Sequence, residues 1–77
     1  MIDALYFTLT FDQLQKELGW DAELLKKELQ SLIHKGWVKG LQRETEEEID
    51  DYSQFERTYS LYLYLATKDG LMAHNSR

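Results

Sequence analysis

Apolar and polar positions follow two rhythms along these 77 residues, first helical and then of period two. From Phe11 the spacing is helical, with Phe11, Leu14 and Leu18 on one face at i, i+3 and i+7. Thr10-Phe11-Asp12-Gln13 is a capping box, in which the threonine hydroxyl accepts from the third helical N–H and the glutamine reaches back to the cap. Gly19 can take positive φ and ends the segment, so a helix of about two turns is predicted. Trp20 follows as an apolar plug. A second helix is predicted from Ala22 to Lys35, capped by Asp21 and closed by Gly36. Its Leu25, Leu29 and Leu32 share a narrow arc, flanked by Leu24 and Ile33.

The rhythm then changes to period two. Residues 37–43 read as a strand, with Gly40 marking a bulge. Residues 59–67 read as a second strand, because Leu61, Leu63 and Leu65 alternate with Tyr62, Tyr64 and Ala66. The two strands suit an antiparallel hairpin. Between them Glu44, Glu46, Glu47, Glu48, Asp50, Asp51 and Glu56 stand without one basic residue, and this stretch is read as a long anionic loop. Thr45 and Glu48 are spaced to cap a helical turn, but like charges oppose it. The opening residues fit two readings: Ile2, Leu5 and Tyr6 suit a short helix, whereas Leu5, Phe7 and Leu9 alternate as in a strand.

Short helix, glycine turn, longer helix, glycine and hairpin together resemble the winged helix-turn-helix domains of bacterial transcription regulators. The segment from Thr10 to Asp21 is similar to the family's first helix and turn, and Leu25, Leu29, Leu32, Gly36, Trp37 and Val38 match its core positions. Tyr64-Leu65-Ala66-Thr67-Lys68-Asp69-Gly70 is similar to the last wing strand running into a Leu-Thr-x-x-Gly element. The likeness covers about residues 10 to 43 and 57 to 72. It implies an α+β fold: a small winged helix with a short first helix or strand, two core helices and a two-stranded antiparallel wing. It also implies double-stranded DNA as partner, a role in transcription regulation, and a homodimer. Two departures stand out. The N-terminal segment is short for the family's first helix, and the wing is acidic where DNA binders commonly carry a basic one.

On that reading the outward face of the second helix presents Glu23, Lys26, Lys27, Gln30, Ser31 and His34. Lysines suit phosphates or guanine acceptors, Gln30 suits adenine and Ser31 a phosphate oxygen, while Arg43 and Arg57 sit at the base of the wing to clamp the backbone. The same side chains also read as a solvated face, with Glu23 and Lys27 as an i,i+4 pair and His34 facing the helix dipole. A net charge of −5 argues against DNA, since neutralising phosphates and releasing counterions supplies most of such affinity. The alternative is a winged helix that meets other proteins through its acidic wing. Tyr52, Phe55, Tyr59, Tyr62 and Tyr64 would then anchor a basic protein partner, although the tyrosines would equally serve to cover the sheet.

Composition sets further bounds. With 43% apolar, 13% aromatic and 30% charged residues, the chain is expected to fold, as a single domain over 1–77. At this length only about 60–65% of the unfolded surface can be buried. The absence of cysteine excludes disulfides, which favours support from a partner subunit. The longest apolar run is far short of the roughly 18 residues that span a bilayer, and Met1-Ile2-Asp3-Ala4 lacks the basic region of a signal peptide, so a cytoplasmic protein off the membrane is expected. No nucleophile elbow or phosphate-cradling glycine loop is present, so neither catalysis nor a small-molecule substrate is expected. No cofactor is expected either: the 44–56 carboxylates lack the pattern of a calcium loop, and His34 and His74 alone do not make a zinc site.

Overall fold

The computed structural model describes residues 2–75, save the side chains of Asp3, His74 and Asn75. Of the two readings of the opening residues the short helix is realised, as a 3-10 segment, whereas the alternation of Leu5, Phe7 and Leu9 does not form a strand: Leu5 lies in that segment, Phe7 is exposed and only Leu9 enters the sheet. A 3-10 segment, Ile2–Tyr6, buries Ile2 and Leu5 and bends at Leu5, and it leads into a two-residue strand β1 (Leu9–Thr10). Then come α1 (Phe11–Leu18), α2 (Ala22–Lys35), β2 (Val38–Gln42), α3 (Phe55–Thr58), a 3-10 turn over Tyr59–Leu61, β3 (Tyr62–Ala66) and α4 (Lys68–Asn75).

The helix ends form for the local reasons legible in the sequence. Gln13 N–H donates to Thr10 Oγ1 at 3.2 Å, and Thr10 N–H donates to Gln13 Oε1 at 2.9 Å, so two otherwise orphaned donors at the start of α1 are satisfied reciprocally. Gly19, at φ 67°, turns the chain out of the helix while its N–H still reaches Gln15 O, a conformation that costs an L side chain roughly 1–2 kcal/mol. The Gln15 side chain ties down the turn by donating to Trp20 O at 3.1 Å. Asp21 Oδ2 accepts from Glu23 N–H at 3.1 Å to start α2, which ends at Gly36. Leu25, Leu29 and Leu32 are the buried residues of α2, and the partly buried Trp20 packs against the same core.

The sheet is antiparallel, in the order β1-β3-β2, so β3 is central. Its register pairs Leu9 with Tyr64, Leu41 with Leu63 and Val38 with Ala66. The bulge expected at Gly40 is absent: pairing runs unbroken from Val38↔Ala66 to Gln42↔Tyr62. Glycine stands there because Tyr52 crowds it. A Cβ would lie 3.3 Å from the Tyr52 ring, and Gly40 N–H donates to the Tyr52 hydroxyl at 2.9 Å. The strand expected over 59–67 is shorter than predicted, since Tyr59–Leu61 coils before pairing begins.

The faces of β3 are assigned by its neighbours. Tyr62, Tyr64 and Ala66 point into the core with Leu5, Leu14, Leu25 and Leu29, while Leu61 is 59% exposed and Leu63 and Leu65 are half-buried on the other side. A tyrosine can be taken inside where its hydroxyl finds a partner. Tyr64, fully buried, donates to Tyr59 O at 2.5 Å, and among the described residues every buried side-chain polar atom has a partner.

After β3 the chain is pinned to the end of α2. Thr67 N–H donates to Trp37 O at 2.9 Å, and the Thr67 hydroxyl donates to Gly36 O at 2.6 Å and accepts from Gly70 N–H at 3.0 Å, capping α4. Gly70 lies so close to Trp37 that an added Cβ would fall 2.1 Å from its carbonyl oxygen. The Thr-x-x-Gly pattern is therefore a docking device: one residue caps, the other lets the helix approach.

Candidate interaction surface

The acidic segment departs most from its expected form. Instead of projecting as a free loop, residues 44–56 turn back along β2. Glu46 takes a positive φ of 58° and donates its N–H to Gln42 O at 2.8 Å; Gln42 N–H donates to Glu47 O and Ile49 N–H to Gly40 O, each at 2.9 Å. Leu41 and Glu48 form an isolated bridge, so the free edge of β2 is occupied by its own chain. No helical turn forms at Thr45, whose hydroxyl accepts from Glu47 N–H at 3.3 Å. A further turn holds where Asp51 Oδ1 accepts from Ser53 N–H at 2.9 Å, a bond that stabilises the charged form and lowers the Asp51 pKa.

Three apolar residues fasten this segment: Ile49 and Phe55 are buried, and Tyr52 is half-buried. Phe55 and Tyr59 continue an aromatic cluster with Phe11, Tyr52 and Tyr62, in which Phe11 and Tyr59 meet edge-on at 4.7 Å. Burial holds the Tyr52 hydroxyl above its usual pKa, and the nearby Glu48 and Asp50 charges act in the same direction. Of this segment's residues, Tyr52 and Phe55 were visible from sequence as aromatics among acids. Ile49 was missed, although its signal is of the same kind, a lone aliphatic residue amid carboxylates.

The segment changes the surface of α2. Lys26 Nζ lies 2.9 Å from Glu56 Oε2, 3.2 Å from Glu23 Oε1 and 5.2 Å from the centre of the Tyr59 ring, and its side chain is only 12% exposed. These hydrogen bonds, to Glu56 first and Glu23 second, raise its pKa. Glu23 thus pairs with Lys26 at i,i+3, not with Lys27 as expected. Lys27, Gln30, Ser31 and His34 are exposed on α2. Arg43 is exposed too, but its guanidinium donates to Ser60 O at 2.7 Å, and Arg57 stands on α3 beside Glu56. Of the seven side chains with the chemistry to read or clamp DNA, four share an open helix face, one is sequestered and two lie on the folded-back connection.

The aromatic set also divides. Phe55, Tyr62 and Tyr64 are 2%, 8% and 0% exposed and belong to the core, so they do not form a surface for a partner; Tyr52 and Tyr59 are half-buried. The tyrosines of β3 cover the inner face of the sheet, and its leucines take the outer one.

Two adjoining hollows lie where the segment meets the C-terminal half of α2. One, about 390 Å³, is lined by Gln30, Ile33, His34, Tyr52 and Phe55. The other, about 340 Å³, shares Ile33 and Tyr52 and includes Val38, Ile49, Glu48 and Asp50. The His74 side chain lies outside the described residues, and among those described no three His, Asp or Glu side chains converge to hold a metal ion. No described helix is long and apolar enough to cross a membrane. Compared with known proteins, the chain matches no family model, no curated sequence and no solved structure.

Proposed function

We propose that this chain is a winged helix domain turned to protein interaction, whose acidic wing meets a basic protein partner and which does not attach to DNA. The winged helix reading is supported by the element order, with β1, α1, α2 and β2 followed by a return strand between β1 and β2. The observation that carries the functional reading is the Lys26–Glu56 contact. It brings a carboxylate of the segment that Ile49, Tyr52 and Phe55 fasten onto a lysine of α2, where a DNA-reading domain needs free cations. A duplex approaching Lys27 and Gln30 would meet Glu23 and Glu56 at Lys26, with Glu48 and Asp50 beside the C-terminal end of α2, and like charge brought together costs affinity. The DNA alternative keeps Lys27, Gln30, Ser31 and His34 on one exposed face.

Fluorescence anisotropy with a labelled duplex at ~50 mM salt, where electrostatic attachment is strongest, separates the two. No attachment up to high micromolar protein is expected. Binding that weakens steeply as salt is raised would restore the DNA reading and overturn this one.

A further inference from the structure

We infer that the paired hollows beside α2 form one docking groove for a protein segment that carries an aliphatic side chain flanked by lysine or arginine. The inference rests on the protein-interaction reading above and names the site and the partner's chemistry. Three features converge on it. The apolar floor open to a partner comes from Ile33 and the Tyr52 ring, both half-buried and common to the two hollows, with Val38, Ile49 and Phe55 buried beneath them. At about 390 and 340 Å³ the two hollows lie near the lower end of the range for ligand pockets, which suits side chains better than a large small molecule.

The rim is anionic on one side. Glu48 and Asp50 line the second hollow against Lys39, the single lysine or arginine there among the described residues, and Glu47 and Asp51 flank them in sequence. The Tyr52 hydroxyl, on the wall common to both hollows, feels the Glu48 and Asp50 charges. The third feature is the C-terminal end of α2 at Gly36, which borders the second hollow and whose dipole favours a cation there, partly offset by Lys35 in the last turn. An aliphatic stem on this floor with a cation at the rim satisfies all three. Arginine and lysine combine both in one side chain. The outward leucines of β3 compete as an apolar face, but they carry no such charge pattern.

The test is an amide-shift titration of the full, ¹⁵N-labelled chain with three short peptides and, separately, a duplex DNA. One peptide places leucines among lysines and arginines, the second keeps the leucines and replaces each cation by glutamine, and the third is all lysine. Expected are saturable shifts at Ile33, Ile49, Tyr52 and Phe55 with the first peptide and markedly weaker binding of the other two. The double variant Glu48→Gln, Asp50→Asn should weaken the first peptide about fivefold to tenfold, which is about 0.5–0.7 kcal/mol for each rim charge. Both residues are exposed, so the variant's spectrum should otherwise match the parent's.

The groove is overturned if the first peptide binds no tighter than the others, if none binds, or if the shifts fall on Leu63 and Leu65 instead. Each of these leaves the protein-interaction reading to be judged by the DNA arm. Duplex-induced shifts on Lys27, Gln30 and Ser31 would sink that reading whatever the peptides do.

Discussion

Gly70 shows how much one missing side chain can decide. The Trp37 carbonyl that a Cβ would strike already accepts Thr67 N–H, so neither the backbone of β2's approach nor the start of α4 can give way cheaply. Gly70→Ala should therefore lower stability by about 2–3 kcal/mol, a fall in Tm on the order of 10–20 °C for a domain of this size. Circular dichroism melts would check it; an unchanged Tm would mean that α4 does not sit against Trp37. At the same scale the sequence was a partial guide. It marked Gly40 as unusual but not why, because the reason is Tyr52, twelve positions away and brought close only by the turn at Glu46. It marked Lys26 as a cation available to phosphate, and only the folded chain shows Glu56 taking it.

At the scale of elements, α1 and α2 are set by signals within four residues of their ends. Replacing Thr10 with alanine removes the hydroxyl that accepts Gln13 N–H and leaves the backbone half of the box, and replacing Asp21 with alanine removes the carboxylate that accepts Glu23 N–H. Each should cost about 1 kcal/mol, and the double variant about the sum, since the two caps share no partner. Urea unfolding would show lower midpoints at unchanged slope, and a double variant no worse than either single would contradict the independence of the caps. These helices, their glycine ends and the Leu25-Leu29-Leu32 stripe were legible because their causes are local. The short α3 and the 3-10 turn at Tyr59 were not, since they form where Phe55 and Tyr59 are pulled onto Phe11 and Tyr62. The alternation of β3 was legible, but not which of its faces is inner.

For the whole molecule, the aromatic core and the Lys26 contacts give stability the same pH dependence. Burial raises the pKa of Tyr64 and Tyr52 above the usual 10.0, and hydrogen bonds to Glu56 and Glu23 raise that of Lys26 above 10.5. In each case the folded chain holds its proton more tightly than the unfolded chain. The stability this contributes is complete below pH 10 and is lost as the pH rises past it, because the unfolded state deprotonates first. Melting temperature should be nearly level from about pH 7 to 9 and fall above about pH 10. Tyr64→Phe should start from a lower Tm, having lost the bond to Tyr59 O, but decline less steeply in alkali. An equal alkaline slope in the variant would show that Tyr64 does not carry the effect.

The sequence by itself determined the helices α1 and α2, the capping box, the glycine ends and the antiparallel pairing of β2 with β3, because each depends on neighbours a few residues apart or on a simple alternation. Tertiary structure decided the rest. It placed β3 between β1 and β2, turned tyrosines inward and leucines outward, and laid the acidic segment along β2 and α2 through Ile49, Tyr52 and Phe55. The physical reason is that burial and charge pairing are properties of what lies opposite in space. Carboxylates that repel one another in a free loop are tolerated when apolar residues among them are buried and one of them finds Lys26.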